Sequence, residues 1–296
     1  MFAKILRHIV FLTPALFTFQ SPAFGKPAAV VVSLTGDASA FSPSARAAAI
    51  HALDWLDAGV RIEVHPKSTL KLIMVSGRTY ELGAGAKATI SADALTAFNS
   101  QVRELKALPP IPRLPAIANT AADVPGATAI RGGSRVRNLY PHHAAAIASG
   151  VKLSFAPLPD ASNYTVTLED DEGNLLFRVS TPATRVEVPG EALKPDSHYS
   201  WRVRAFGGGQ VLGEGNAQFV TISKDDMDRR SAFGSALNTE DDVTRLALIA
   251  GVDQQIGLLA EACDEFQTAL GIRPSDPALQ RAWAAAQTAL AAAREK

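Results

Sequence analysis

Six histidines and a single cysteine are the most reactive side chains in this 296-residue chain, and their spacing decides what they can do. His142-His143 is the only histidine cluster, and no Cys, Asp or Glu stands around it at metal-ligand spacing, so it reads as a solvent-facing loop pair. Zinc hydrolysis calls for His-Glu-x-x-His, acyl transfer for a Gly-x-Ser-x-Gly turn, and phosphate cradling for a Gly-rich loop ending in Lys-Ser or Lys-Thr. None of these occurs; Gly83-Ala84-Gly85-Ala86-Lys87 has glycines and a lysine but not the frame. Asp170 to Asn174 is rich in oxygen ligands, yet it lacks the alternating acids, glycine and distant Glu of a calcium loop, and reads as a hairpin tip. Asp225, Asp226 and Asp228 read as a solvated hinge. Cys263 excludes a disulfide within one chain; beside Ala262 on a predicted helix it is a small buried hydrophobe. No catalytic, cofactor-binding or metal residue is therefore nominated, and no binding residue is named.

The elements that would position a site come with strong punctuation. Lys4, Arg7 and His8 precede an apolar run from Ile9 to Phe19, and Ala23-Phe24-Gly25 offers small residues for cleavage before Lys26, which reads as a secretory signal over residues 1–25. The run is about half the ~20 residues that span a bilayer, and no later segment is longer, so the mature chain is expected to be periplasmic or secreted, with no transmembrane span. Lys and Arg total 29 and Asp and Glu total 29; this balance argues against nucleic acid, which is bound by neutralising phosphates. Abundant alanine with few Trp and Tyr suggests a bacterial source of high genomic GC.

Residues 28–90 read as a compact all-β unit. Val60, Ile62 and Val64 alternate with Arg61, Glu63 and His65; Leu70, Leu72 and Met74 resume the alternation, and Gly77, Gly83 and Gly85 mark turns. Ala45 to Trp55 reads as a possible helical stretch. Leu56, Gly59, Ile62, Leu70, Leu72, Gly77, Leu82 and Ile90 resemble a FecR-like domain, although Gly59 is followed by Val60 where that family often has Asp. The resemblance implies the extracytoplasmic fold. The cytoplasmic arm and spanning helix of a FecR signalling protein have no counterpart here.

Leu95, Phe98, Val102 and Leu105 recur at spacings of three, four and three, which predicts a helix over 91–107, capped by Ser91 and packed on the first unit. The prolines from Pro109 to Pro115 end it, and residues 108–130 are expected to be an extended linker.

Residues 131–223 contain about seven short strands. Val151-Leu153-Phe155, Tyr164-Val166-Leu168, Leu175-Phe177-Val179, Val186-Val188 and Tyr199-Trp201-Val203-Ala205 each alternate, with turns between them, which is the pattern of a β-sandwich. Leu193, Pro195, Tyr199, Trp201, Val203 and Ala205 resemble a fibronectin type III domain, with Phe155 where the family usually has Trp. The resemblance implies that Tyr199 is a tyrosine corner whose hydroxyl bonds back upstream.

After a hinge at 224–238, residues 239–296 read as three helices, with Thr239 as a cap, Gly257 as a turn, and Pro277 opening the third. Ala262, Phe266, Ala269 and Pro274 match the spacing of a tetratricopeptide-like hairpin; Asp253 departs from it, since that family has Tyr there. One such repeat cannot bury its own face, so the tail is expected to dock on the sandwich or on a partner.

The chain is thus expected to be multidomain and mainly β with an α-helical C-terminus. The leading reading is an exported non-enzymatic binding or scaffold protein of the bacterial cell envelope, without cofactors, whose partner is an envelope protein or peptidoglycan. The alternative is a sensory or regulatory ectodomain of a FecR-type iron-uptake system, and a third is a hydrolase whose site is assembled across the blocks.

Overall fold

The computed structural model describes residues 26–42, 47–112 and 134–295. The expected secretory signal at 1–25 and most of the expected linker at 108–130, from residue 113 on, lie outside the described residues. Ten strands make the first unit: β1 (Pro27–Thr35), β2 (Ala38–Phe41), β3 (Ala48–Ala49), β4 (Trp55–Asp57), β5 (Arg61–Val64), β6 (Thr69–Met74), β7 (Thr79–Leu82), β8 (Lys87–Ile90), β9 (Leu95–Ala97) and β10 (Val102–Glu104). They form two five-stranded sheets, β10-β7-β6-β1-β4 and β3-β2-β5-β8-β9. The alternating residues do what their period demands: Val31, Ile62, Val64, Leu70, Leu72, Leu82 and Ile90 point between the sheets and close one core.

β1 departs from simple alternation. Ala28 through Val32 are all buried, because Ala29 and Val31 face the inter-sheet core while Val30 and Val32 face the C-terminal helices. A strand covered on both faces reads as a continuous apolar run. Ile73 and Val75 beside it lie on the same outer face.

Two predicted helices in this unit are strands and turns instead. Within Ala45 to Trp55, the described residues carry β3, a turn and the start of β4, and Leu53 has φ +70, which no helix accommodates. Within 91–107, β9 pairs with β8 and β10 with β7. These segments satisfy the open hydrogen-bonding edges of two sheets, and a short isolated helix gains too little to compete. Phe98, placed on the expected apolar stripe, is 62% exposed. The start of the linker is also not a free spacer. The Leu108 amide donates to the Gly77 carbonyl at 2.8 Å, the Ile111 amide donates to Val75 at 2.9 Å, and Ile111 is buried.

The second unit is a sandwich of eight strands: β11 (Ser134–Arg135), β12 (Ala144–Ala146), β13 (Gly150–Ser154), β14 (Asn163–Asp170), β15 (Leu175–Thr181), β16 (Arg185–Pro189), β17 (His198–Gly207) and β18 (Gln210–Thr221). One sheet runs β11-β18-β17-β14-β15, with β12 also pairing β18, and β13-β16 forms the other. Gly208 and Gly209, at φ +57 and +79, make the tight turn between β17 and β18. That turn leads into one long strand, β18. Leu153, Val166, Leu168, Val188, Trp201, Val203 and Phe219 fill the core.

Four helices follow: α1 (Lys224–Ala236), α2 (Asp242–Gln255), α3 (Leu259–Ile272) and α4 (Pro277–Glu295). The expected hinge at 224–238 is helix α1. Ser223 caps it by accepting from the Asp226 amide, and Asp225 and Asp226 sit in its first turn, where the helix dipole favours negative charge. The acids that suggested a solvated hinge are the helix's N-terminal signature. The cap of α2 is Asp241, which accepts from the Val243 and Thr244 amides, rather than Thr239. Within α2 and α3, Ala250, Phe266 and Ala269 are buried together and Ala262 is buried as well, so small residues let the two helices approach and Phe266 fills the gap.

The helices dock on both β units. Phe233, Leu237, Leu248 and Val252 pack on Val30, Val32, Ile73 and Val75 of the first, and Ile256 and Leu258 pack on Ala145 and Ile222 of the second. The larger seat is thus on the first unit, not on the sandwich alone. Lys71 of β6 pairs with Glu240 just ahead of α2.

Candidate functional site

Where the sandwich meets α4, a cleft of about 750 Å³ opens to solvent, lined among others by Asn138, Phe155, Pro157, Pro182, Arg185 and Arg294. Each wall follows from the local fold. Arg185 begins β16, whose alternate residues Val186 and Val188 are buried, so Arg185 projects outward. Phe155 follows β13; its ring is held edge-on to Tyr164 with centroids 4.9 Å apart. Pro157 and Pro182 flank it and lack amide donors. Arg294 reaches in from the last turn of α4. Asn138 and Arg294 also line an adjoining depression of about 270 Å³ along α4, with Gln287 and Leu290.

Arg294 is oriented by its neighbour. Its guanidinium carbon lies 5.5 Å from the centroid of the Tyr140 ring, within cation–π range. Tyr140 is itself pinned, because its hydroxyl accepts from the Ala260 amide at 3.1 Å. Burial, and next the charge of Glu261, pushes the Tyr140 phenol well above its ordinary range, so it remains a neutral peg between sandwich and α3. Among the described residues neither Arg185 nor Arg294 forms an ion pair with a carboxylate. The cleft therefore offers two guanidinium groups and an amide above an apolar floor. Such a surface suits a carboxylate with an apolar flank, which guanidinium groups can grip through paired donors.

The groups weighed from sequence lie elsewhere. His142 and His143 stack on each other with ring centroids 4.3 Å apart. Among the described residues no three His, Cys, Asp or Glu side chains are grouped to hold a metal ion. Asp170 accepts from the Glu172 and Asn174 amides and from the Asn174 side chain. These bonds, the Asn174 side chain first, hold its carboxyl below the usual range and commit it to the hairpin tip. Cys263 is buried, and burial pushes its thiol up. Of the cleft residues only Phe155 was singled out in the sequence, as a core aromatic of the sandwich and not as part of a site. Arg185 and Arg294 lie more than a hundred residues apart, and nothing local to either reports the other.

Among the described residues no helix is long and apolar enough to cross a membrane. No family model matches the chain, and no curated protein sequence matches it. Its structural neighbours include fibronectin type III domains. One is the domain from human collagen alpha-1(XX), at 20% identity, covering 33% of this chain and 95% of that one with a TM-score of 0.27. Another is a two-domain fibronectin type III segment of chicken tenascin, at 12% identity, covering 62% of this chain and 81% of that one with a TM-score of 0.23. The protein is mainly β, with sandwich sheets resembling fibronectin type III domains, followed by a C-terminal four-helix region.

Proposed function

We propose that the chain is an exported, non-enzymatic binding or scaffold protein of the bacterial cell envelope, and that the cleft beside α4 receives a carboxylate-bearing peptide. The observation that carries this reading is the pair Arg185 and Arg294, two guanidinium groups without carboxylate partners among the described residues, set over Phe155 and two prolines. Free carboxylates of this kind occur at protein chain ends and on the stem peptides of peptidoglycan. The first unit is read as FecR-like in fold, and α2–α3 as a tetratricopeptide-like pair. The buried Ala250, Ala262, Phe266 and Ala269 support the second reading. The helices then serve to hold two β modules at a fixed spacing beside the cleft.

Calorimetric titration of the purified protein with a peptidoglycan stem peptide and with a protein-derived peptide ending in a free carboxylate tests this. Binding of either is expected to weaken at least tenfold in R185E/R294E, and amidation of the ligand's carboxyl should weaken it similarly. Whichever peptide binds identifies the source. Binding unaffected by both changes, or no binding of either peptide, overturns the reading.

A further inference from the structure

Arg230 on α1, Asp253 on α2 and Glu265 on α3 meet inside the helical region. Arg230 donates from Nε to Asp253 Oδ1 at 2.5 Å and from Nη2 to Oδ2 at 2.6 Å, and Nη2 also donates to Glu265 Oε1 at 2.8 Å. The Asp253 side chain is fully buried. One guanidinium thus faces two carboxyl groups. Asp253 takes both prongs of the fork, so it holds the negative charge that Arg230 neutralises. Glu265 receives one bond, and its other oxygen, Oε2, is buried without a hydrogen-bond partner. An ionised carboxylate left that way would carry an uncompensated charge and a bare acceptor out of water, which is costly.

The surroundings deepen the problem. α1 contributes Arg230 and α2 contributes Asp253. α3 itself adds Glu261, which feels the charges of Asp253, Arg230 and Asp264. The only cation in this set is Arg230. A proton resolves both defects at once, since it removes the surplus charge and turns Oε2 from an unmatched acceptor into a donor. We propose that Glu265 is a neutral carboxylic acid in the folded protein, with its Oε2–H directed at Asp253, and that this one proton completes the clasp joining α1 to α2 and α3.

Burial, then the charge of Asp253, pushes the Glu265 carboxyl up to about 8, in keeping with that geometry. α1 is also the helix whose Phe233 lies against the first β unit, so the clasp bears on how the two β units are held together. The direction of the pH effect follows. Between the ordinary value of 4.5 and about 8 the folded chain holds a proton that the unfolded chain has released. Stability therefore falls as pH rises through that window, by up to tenfold in the unfolding constant per pH unit, and levels off above it.

The test is the urea midpoint of the full chain at successive pH values from acid to alkaline, for wild type and Glu265→Gln. The amide keeps an acceptor toward Arg230 and supplies an N–H toward Asp253 at every pH. The wild-type midpoint is expected to fall across the window, and that of E265Q to fall less steeply, because the raised carboxyls of Asp253 and Glu261 remain, and to exceed wild type on the alkaline side. Equal slopes overturn the proposal. Infrared spectra of wild-type protein give a second readout that needs no variant. They should show a protonated-carboxyl band at neutral pH that bleaches at alkaline pH, and the lack of such a band at neutral pH overturns the proposal as well.

Discussion

The Tyr199 hydroxyl accepts a hydrogen bond from the Lys194 amide at 2.6 Å and donates to the Lys194 carbonyl oxygen at 3.3 Å. One phenol thus satisfies both backbone groups of a residue five positions upstream, at the corner where the chain enters β17. Thr221 Oγ1 donates to the same carbonyl, so the end of β18 is tied to that corner too. The ring stacks on Phe219 with centroids 5.3 Å apart. Tyr199→Phe keeps the stacking but leaves the Lys194 amide unpartnered. A loss of about 1–3 kcal/mol is expected. Urea unfolding checks it: the midpoint should fall with the slope unchanged. A midpoint equal to wild type would mean the corner contributes nothing.

Tyr199 also marks how far the sequence could be read. Its place in the alternation Tyr199-Trp201-Val203-Ala205 is local information, and so is the turn at Gly208-Gly209; both are visible as period and punctuation. The outer face of the first unit was signalled as well, by Val30-Val31-Val32 and Leu72-Ile73-Met74-Val75, since consecutive apolar residues in a strand mean cover on both sides. What covers them is not local. Phe233 and Leu248 meet that face from some two hundred residues away, and a 3.6-residue period does not say where a helix will dock. Residues 91–107 misled for a related reason. A stripe at helical spacing was present, but two open sheet edges were nearby in space, and their unpaired backbone groups outweighed it. The cleft was hidden for the same cause, because Arg185 and Arg294 are brought together only by α4 packing beside the sandwich.

Phe233 is the test of whether the helices and the first β unit form one cooperative body. It is 1% exposed and packs among Val30, Val32, Ile73 and Leu248. Phe233→Ala removes most of a ring from this shared core, with an expected cost of about 3–5 kcal/mol. The loss falls on an interface between units, so it should act on cooperativity as well as on stability. Calorimetry is expected to show the wild-type transition splitting in the variant, with one unit melting ahead of the rest. A uniform downward shift with a single sharp peak would place Phe233 inside an indivisible core instead.

Asp241 links a helix cap to acid sensitivity. Its Oδ1 accepts from the Val243 and Thr244 amides and from Arg273 Nη2 at 2.9 Å, and its Oδ2 accepts from Thr244 Oγ1 at 2.7 Å. The Thr244 hydroxyl first, then the Thr244 amide and the Arg273 charge, hold the carboxyl below its ordinary 3.8. A depressed folded value means that the folded chain binds fewer protons than the unfolded one. The stabilisation is therefore complete above 3.8 and is lost as pH falls through the lower folded value. Asp241→Ala should cost about 0.5–2 kcal/mol at neutral pH, the usual range for a lost cap. Asp241→Asn keeps a capping oxygen and should cost less there, but it carries no titrating charge. Its stability should fall less steeply than that of wild type below pH 3.8. Urea midpoints for the three proteins at neutral pH and on the acid limb separate the two contributions. If Asn and Asp lose stability in parallel on acidification, the carboxylate charge has no part in holding α2 to the end of α3.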